Sequence, residues 1–389
     1  MSLILLIVGV VLFIGLVVVH EFGHFIFARR NGVEVEEFGI FFPPRLFKKK
    51  TKAGWLFTIN LLPLGGFVRL KGEHDTDTEK GSFGAASLLA KTKIMAAGVG
   101  MNLITALILL TALAFLGMPK LVDNQFTVKS DTKVSRSEVL AVDIEPGSPA
   151  AKAGIQPDDR LAAIGADAAH LKGVDNANTL PNVTKGLAGQ TVHVVYEHKG
   201  QPHVAVVKLR TAAEVAASQK TNNPKGYLGI VPQEFTLQRS TWSAPVVAVG
   251  LAGQFTALTF QGLGHALGGL GSLIAGAVTG NSAARQNGQA TASSQVSGPV
   301  GIFVILKDGS LLGYQFMLFI IAIISLTLAI MNILPIPALD GGRLWITLVA
   351  RAFKKPLSAK TEEIVNATGF VVLIGLVILI TIVDVHRFF

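Results

Sequence analysis

His20, Glu21 and His24 stand in "VVVHEFGHFIFARR", residues 17–30, inside an otherwise apolar run. On a helix, four residues turn about 400°, so the two histidines share one face, one turn apart. That spacing lets both imidazoles reach a single metal ion. Glu21 is rotated about 100° from His20, which suits it to a water beside the metal rather than to the metal itself. Zinc lowers the pKa of such a water toward about 7, and a nearby carboxylate can take its proton and pass it on. The pattern HExxH is the signature of metalloproteases. The ordinary alternative is a set of polar side chains snorkelling to the membrane interface. Against it, three ionisable groups at a membrane-helix end are costly unless they are used.

A catalytic zinc needs a third protein ligand and one open position. The chain has no cysteine, so that ligand must be His, Asp or Glu. Asp340, in "MNILPIPALDGGR", directly follows an apolar segment. Pro335 and Pro337 break the helix there, and Gly341 and Gly342 allow tight turns. Taken alone, Asp340 reads as a helix-end loop acid or as the missing ligand. Both it and His24 fall at cytoplasmic span ends, so they can meet. Asp384 and His386 fall at the opposite face and are expected at the interface. His193, His198 and His203 are expected to be solvated on strands of a soluble domain, and His265 to be interfacial.

The elements that must position these groups are read from hydropathy and charge. Half of the 389 residues are hydrophobic, only 15% are charged, and mean hydropathy is +0.52. A soluble domain carries about 25% charge, so a polytopic membrane protein with some soluble mass is expected. The net charge of +9 sits in clusters beside apolar runs, at 29–30, 48–52 and 351–355. That is the positive-inside pattern, and no nucleic-acid partner is expected.

Residues 1–30 make a first span, with Arg29 and Arg30 at its cytoplasmic end and the N-terminus outside. It has no basic leader and no small-residue cleavage site, so a cleaved signal peptide is not expected. Residues 31–91 are a cytoplasmic β element punctuated by Gly and Pro, whose apolar Phe38, Ile40, Phe41 and Phe42 suit a dip into the membrane. Residues 92–118 form a second span, in which Gly98 and Gly100 permit close helix contact and Asn102 is polar at membrane depth. Residues 120–235 carry alternating strands and form a soluble domain outside. Residues 236–312 are glycine-rich. Had this segment crossed once, the basic loop at 351–355 would lie outside, so interfacial helices are expected. Residues 313–336 are a third span, 337–363 a cytoplasmic loop and 364–385 a fourth span that returns the C-terminus outside.

These residues resemble the site-2 protease family of intramembrane zinc metalloproteases. The resemblance rests on "HEFGH", "NILPIPALDGG", "LPLGGFVRL", "SGPVGI" at 297–302 and the intervening soluble domain, and it covers nearly the whole chain. It implies one zinc per chain held by His20, His24 and Asp340, with Glu21 as general base. It implies that Asn332, Pro335 and Pro337 shape or grip the substrate. Gly65 and Gly66 would belong to a membrane-dipping β element whose edge pairs with an unwound substrate strand. The family has a Gly-Pro pair before an Asn on the second span; here Val99 follows Gly98, and Asn102 keeps its spacing. Residues 125–235 resemble one PDZ domain, through "EPGSPAAKAGIQPDDRLAAIGA" and a closing strand over 223–231. Pro157 and Asp158 stand where Gly-Asp is common.

The expected molecule is therefore a polytopic α-helical membrane protein. It has four transmembrane helices, a cytoplasmic-side membrane-dipping β element and one extracytoplasmic PDZ domain of α+β type. It would sit multi-pass in a bacterial inner or plasma membrane, with both termini extracytoplasmic and the active site near the cytoplasmic side. It would cleave single-span membrane proteins, such as anti-sigma factors or signal-peptide remnants, in or near their membrane segment during regulated intramembrane proteolysis. Asn102 and Asn332 would hold backbone groups freed by unwinding. Its partners would be those substrates, the lipid bilayer and a peptide or envelope protein at the PDZ domain. Two rivals stay open. An ion or proton transporter would show flux in liposomes that survives Glu21→Gln. A non-catalytic PDZ anchor would bind partners without cleaving them.

Overall fold

The computed structural model describes residues 2–74, 76–221, 223–295, 298–353 and 358–388. Ser297 of "SGPVGI" and residues 354–355 of the last basic cluster lie outside them. In chain order the elements begin with α1 (Ser2–Arg30), β1 (Val35–Lys50), β2 (Leu56–Leu70) and α2 (Leu88–Leu116). Then come β3 (Met118–Pro119), β4 (Lys133–Ile144), α3 (Pro149–Lys152), β5 (Arg160–Gly165), β6 (Leu171–Gly173), α4 (Thr179–Gly186), β7 (Thr191–His198), β8 (Gln201–Lys208), α5 (Ala212–Ser218) and β9 (Ile230–Arg239). The chain ends with α6 (Ala244–Thr279), α7 (Ser282–Gln295), α8 (Pro299–Gly309), α9 (Tyr314–Ile333), α10 (Asp340–Ala352) and α11 (Ala359–Phe388). Two units divide the chain, one of residues 1–113 and 244–389, the other of residues 114–243.

In the first unit, α1, α2, α6, α9 and α11 are long and apolar enough to cross a membrane. Four such spans were expected. The fifth, α6, falls where interfacial helices are expected and is one continuous helix of 36 residues. Glycines cost a helix roughly a kcal/mol each relative to Ala; Gly253, Gly264, Gly268 and Gly271 face open space, and two close approaches to α7 involve glycine. A Cβ on Gly276 would lie 2.7 Å from the backbone nitrogen of Arg285 in α7, and one on Gly288 of α7 would lie 2.6 Å from the carbonyl oxygen of Gly269. The same closeness joins α1 to α2, because a Cβ on Gly23 would lie 2.6 Å from the carbonyl oxygen of Ala97.

β1 and β2 fold into a small sheet of four segments. Residues 35–40 lie between 66–70 on one edge (Val35↔Leu70 to Ile40↔Gly66) and 56–59 on the other (Glu37↔Leu56 to Ile40↔Ile59), and 45–50 pairs outside 56–60. One carboxylate ties all four segments together. Glu37 is fully buried and meets the guanidinium groups of Arg45 and Arg69, each at 2.7 Å, and the hydroxyl of Thr58 at 2.8 Å. Phe38, from the expected apolar cluster, is buried against Phe25 of α1 and Trp55. The ring of Phe67 covers the bare face of Gly39, where a Cβ would sit 2.3 Å from it.

Asp384 is buried rather than interfacial. Its Oδ2 accepts from the backbone N–H of Gly298 at 2.8 Å and of Gly301 at 2.7 Å. It thereby caps the start of α8, whose own cap residue, Gly298, offers no side chain.

The second unit is a sheet in the order β3-β9-β4-β5-β7-β8, with β6 beside β5. Its core gathers Val139, Leu161, Ile164, Val192, Val194 and Leu180 among others. Three expectations shift here. The closing strand is β9, Ile230–Arg239, which shares only residues 230 and 231 with the expected 223–231. The turn after α3 places Asp158, not Pro157, in the glycine position, with φ +69°, and Asp159 in the aspartate position. Asp159 is buried, accepts from the backbone N–H of Gln156 at 2.8 Å, and pairs at 2.7 Å with His198, which is therefore not simply solvated. The unit's last residues are latched by Asp131. Hydrogen bonds from the hydroxyls of Ser243 and Thr241, then from their backbone N–H groups, hold its carboxyl well below the usual carboxylate range.

Candidate metal and active site

The last turns of α1 carry His20 and His24, while the start of α10 carries Asp340. Between α9 and α10 the chain doubles back. Pro335 and Pro337 cannot continue the α9 hydrogen bonds, and Ala338 takes φ +71°. Gly341 and Gly342 lie flat against the turn, where added Cβ atoms would stand 2.3 Å from the Leu334 carbonyl oxygen and 2.1 Å from that of Ile336. The indole N–H of Trp345 donates to the Ile333 carbonyl at 3.0 Å, satisfying one of the carbonyls that the end of α9 leaves unpaired. Any larger residue at 341 or 342 would push the turn open and carry Asp340 away from α1.

So positioned, Nε2 of His20 is 2.9 Å and Nε2 of His24 is 3.1 Å from Oδ2 of Asp340, and the two nitrogens are 3.3 Å apart. Among the described residues these three form the one His/Cys/Asp/Glu group whose ligand atoms converge on a point. The donor chemistry fits a divalent ion. Nδ1 of His24 lies 2.8 Å from the carbonyl oxygen of Ile94, which can only accept, so Nδ1 carries the proton. In the neutral ring Nε2 is then a lone pair facing a carboxylate and a second imidazole nitrogen. Such a trio of two imidazole nitrogens and a carboxylate oxygen is a donor set suited to a divalent ion. The separations match the edges, about 3.3 Å, of a tetrahedron with zinc bonds of 2.0–2.1 Å. The two histidine side chains are 10% and 12% exposed and that of Asp340 is 28%, so the group is most open on the aspartate side.

Glu21 stands beside this group. Together with His24 and Asp340 it lines a cavity of about 180 Å³. The opposite wall is the outer edge of the small sheet, with Gly66, Phe67, Val68 and Leu70 in the lining. A Cβ on Gly66 would come within 3.1 Å of Cγ of Glu21, so glycine lets the strand approach the carboxylate. Gly65 packs against the Phe42 ring. At the mouth Arg343 donates to the backbone carbonyl of Glu73 and lies over the Phe83 ring.

The remaining residues singled out by sequence are distributed differently. Asn332 is half-buried with no side-chain hydrogen bond among the described residues, and Pro335 and Pro337 are exposed. Asn102 is buried, is absent from the cavity lining, and has its amide 3.2 Å from Nδ1 of His20. Two participants were missed. The Ile94 carbonyl has no sequence signal at all. Gly98 faces both imidazoles: its added Cβ would be 2.5 Å from Nε2 of His24 and 2.6 Å from Nε2 of His20. Its position four residues before Asn102 was the available clue. Gly100, by contrast, faces open space.

Comparison with known proteins agrees with this geometry. Residues 8–376 match Peptidase family M50. A Clostridium perfringens protein named "Putative zinc metalloprotease" is 29% identical over 373 residues, covering 96% of each chain. One of the same designation from Campylobacter jejuni is 27% identical, covering 96% of this chain and 90% of its own. The "Probable protease eep" of Enterococcus faecalis is 24% identical, covering 96% and 97%.

Proposed function

This chain belongs to peptidase family M50, the zinc metalloendopeptidases of site-2 protease type, and from that premise we propose that it cleaves single-span membrane proteins within or near their membrane segment. His20, His24 and Asp340 hold the zinc and Glu21 is the general base. The observation that carries this reading is the convergence of two Nε2 atoms and one Oδ2 beside a cavity that Glu21 also lines.

Bound zinc supplies Lewis acidity, polarising the scissile carbonyl and lowering the pKa of water. Glu21 takes a proton from the attacking water as its oxygen bonds to the carbonyl carbon. It returns the proton to the amide nitrogen as the C–N bond breaks. A transmembrane helix hides its carbonyls in its own hydrogen bonds, so the substrate must unwind first. The outer edge at 66–70 supports an answer: no strand among the described residues pairs with it, and of its donors the Leu70 N–H is held by the Glu73 carboxylate at 2.9 Å. An extended substrate segment added there has its N–H and C=O groups satisfied beside Glu21. Gly65 and Gly66 keep that edge close to the site, and the free amide of Asn332 is available to a peptide group.

Around this centre we read four crossings, with the active site toward the cytoplasm and both termini outside a bacterial inner membrane. Residues 114–243 are read as one PDZ domain that screens substrates by size or by a bound peptide. The substrates are of the kind released in regulated intramembrane proteolysis, such as anti-sigma factors or signal-peptide remnants.

Purified protein in detergent, given a panel of single-span substrates, tests the centre. Wild type should cleave at least one substrate. Glu21→Gln should keep about one zinc per chain and lose roughly 10²–10⁴-fold in rate. Cleavage by Glu21→Gln at the wild-type rate would remove Glu21 from the chemistry, and absence of metal from both would remove the site.

A further inference from the structure

Asn102 is polar, lies on α2 inside the bundle and is 1% exposed. Its Oδ1 is buried without a hydrogen-bond partner, while Nδ2 sits 3.2 Å from Nδ1 of His20. A half-turn of the carboxamide about Cβ–Cγ exchanges these two ends and moves no other atom. The orphaned oxygen then accepts from Nδ1–H of His20. The proton is thereby kept on the nitrogen remote from Asp340, and Nε2 is left as a lone pair facing His24 and Asp340. The other histidine is held in the same way, with its Nδ1–H donating to the Ile94 carbonyl at 2.8 Å. Both outer partners lie on α2, eight residues apart, against two histidines one turn apart on α1. The Asn102 backbone is fixed in turn, because the buried hydroxyl of Ser325 on α9 donates to its carbonyl at 2.8 Å.

We propose that Asn102 is a positioning residue of the metal site, setting the tautomer and ring orientation of His20, and does not grip the substrate backbone. This inference rests on the reading of His20 as a ligand. It follows from the general behaviour of metal-bound imidazoles, whose second nitrogen donates to an acceptor that fixes the ring and raises its basicity. The burial of Asn102 and its absence from the cavity lining leave it no route to a peptide.

The test is zinc affinity, measured on the full-length protein in detergent by competition with a chromogenic chelator. Helical content of the metal-free protein is followed in parallel. Asn102→Leu and Asn102→Ala, which lack the acceptor, should bind zinc about 10–100-fold more weakly at unchanged helical content. Asn102→Asp keeps an acceptor and should bind at least as tightly as wild type. Wild-type affinity in the Leu and Ala variants overturns the proposal. So does an Asp variant as weak as they are, because the loss would then be one of packing. His20→Ala separates this from the underlying reading: if it too binds zinc like wild type, His20 is not a ligand and the site assignment fails with it.

Discussion

A methyl group added at Gly98 has no space to occupy, since it would fall among the ligand nitrogens of both histidines. Gly98→Ala should therefore lower zinc affinity at least tenfold, an effect on the scale of disturbing a ligand's supporting shell. Gly100→Ala, two residues on and facing open space, should change neither affinity nor turnover. Metal content after gel filtration, followed by chelator competition, reads both, and equal losses in the two variants would contradict this role for Gly98. At this scale the sequence was most informative about side chains that bear chemistry. His20, Glu21 and His24 stood out because histidines at i and i+4 in an apolar helix have few other uses, whereas Asp340, read alone as a loop acid or a ligand, entered the set through the resemblance to site-2 proteases. What could not be read was which groups a small residue or a backbone carbonyl would face: Gly98 was read as a helix contact, not as a neighbour of the two imidazoles. Gly98 and the Ile94 carbonyl matter through a neighbour 70 or more residues away, and no local pattern encodes that distance.

The small sheet connects the hydrophobic scaffold to the chemistry, and Glu37 is its knot. Its carboxylate is fully buried between two guanidinium groups and a hydroxyl, one from each of the other three segments. Removing it takes away three cross-links between segments at once, while the guanidinium groups left behind, 44% and 49% exposed, stay solvated. Glu37→Ala should therefore loosen the edge at 66–70 and slow cleavage of membrane substrates. It should leave zinc bound, because all three ligands lie on α1 and α10. Turnover beside zinc stoichiometry tests this, and full activity in the variant would show that the edge does not present the substrate. The alternation and glycine punctuation of residues 31–91 announced a β element but not its order, because a segment that pairs on both edges has the same local pattern as one that pairs on one. For α6 the glycine content argued against a long helix. Gly269 and Gly276 lie close against α7, while Gly253, Gly264, Gly268 and Gly271 face open space, so only part of the glycine content has a packing use, and local composition does not reveal which part.

The meeting of α1 and α10 also constrains how the whole chain threads a membrane. On the proposed topology, Arg29, Arg30 and the lysines at 48–52 mark the end of α1 as cytoplasmic. Asp340 lies within 3.1 Å of both histidines, so α9 must end on that same side and must start on the other. Since α2 returns the chain outward, residues 114–313 must cross an even number of times. Among the described residues of that stretch α6 alone is long and apolar enough. The 11 residues of α8 span about 16 Å, short of a hydrocarbon core of about 30 Å, and α7 is polar throughout. With no apolar helix to bring the chain back, α6 is expected to enter from the outer face and stay associated with it, so the α6–α7 turn should be accessible from outside. The protein lacks cysteine, so single-cysteine variants report position without background. In intact cells with a permeable outer envelope, an impermeant maleimide should label Ser282→Cys as readily as Lys220→Cys in the second unit. Lys52→Cys should react only after the membrane is opened. If Ser282→Cys behaves like Lys52→Cys, α6 crosses, residues 283–313 must return through the membrane, and a buried path for the polar face of α7 becomes part of the active-site surroundings.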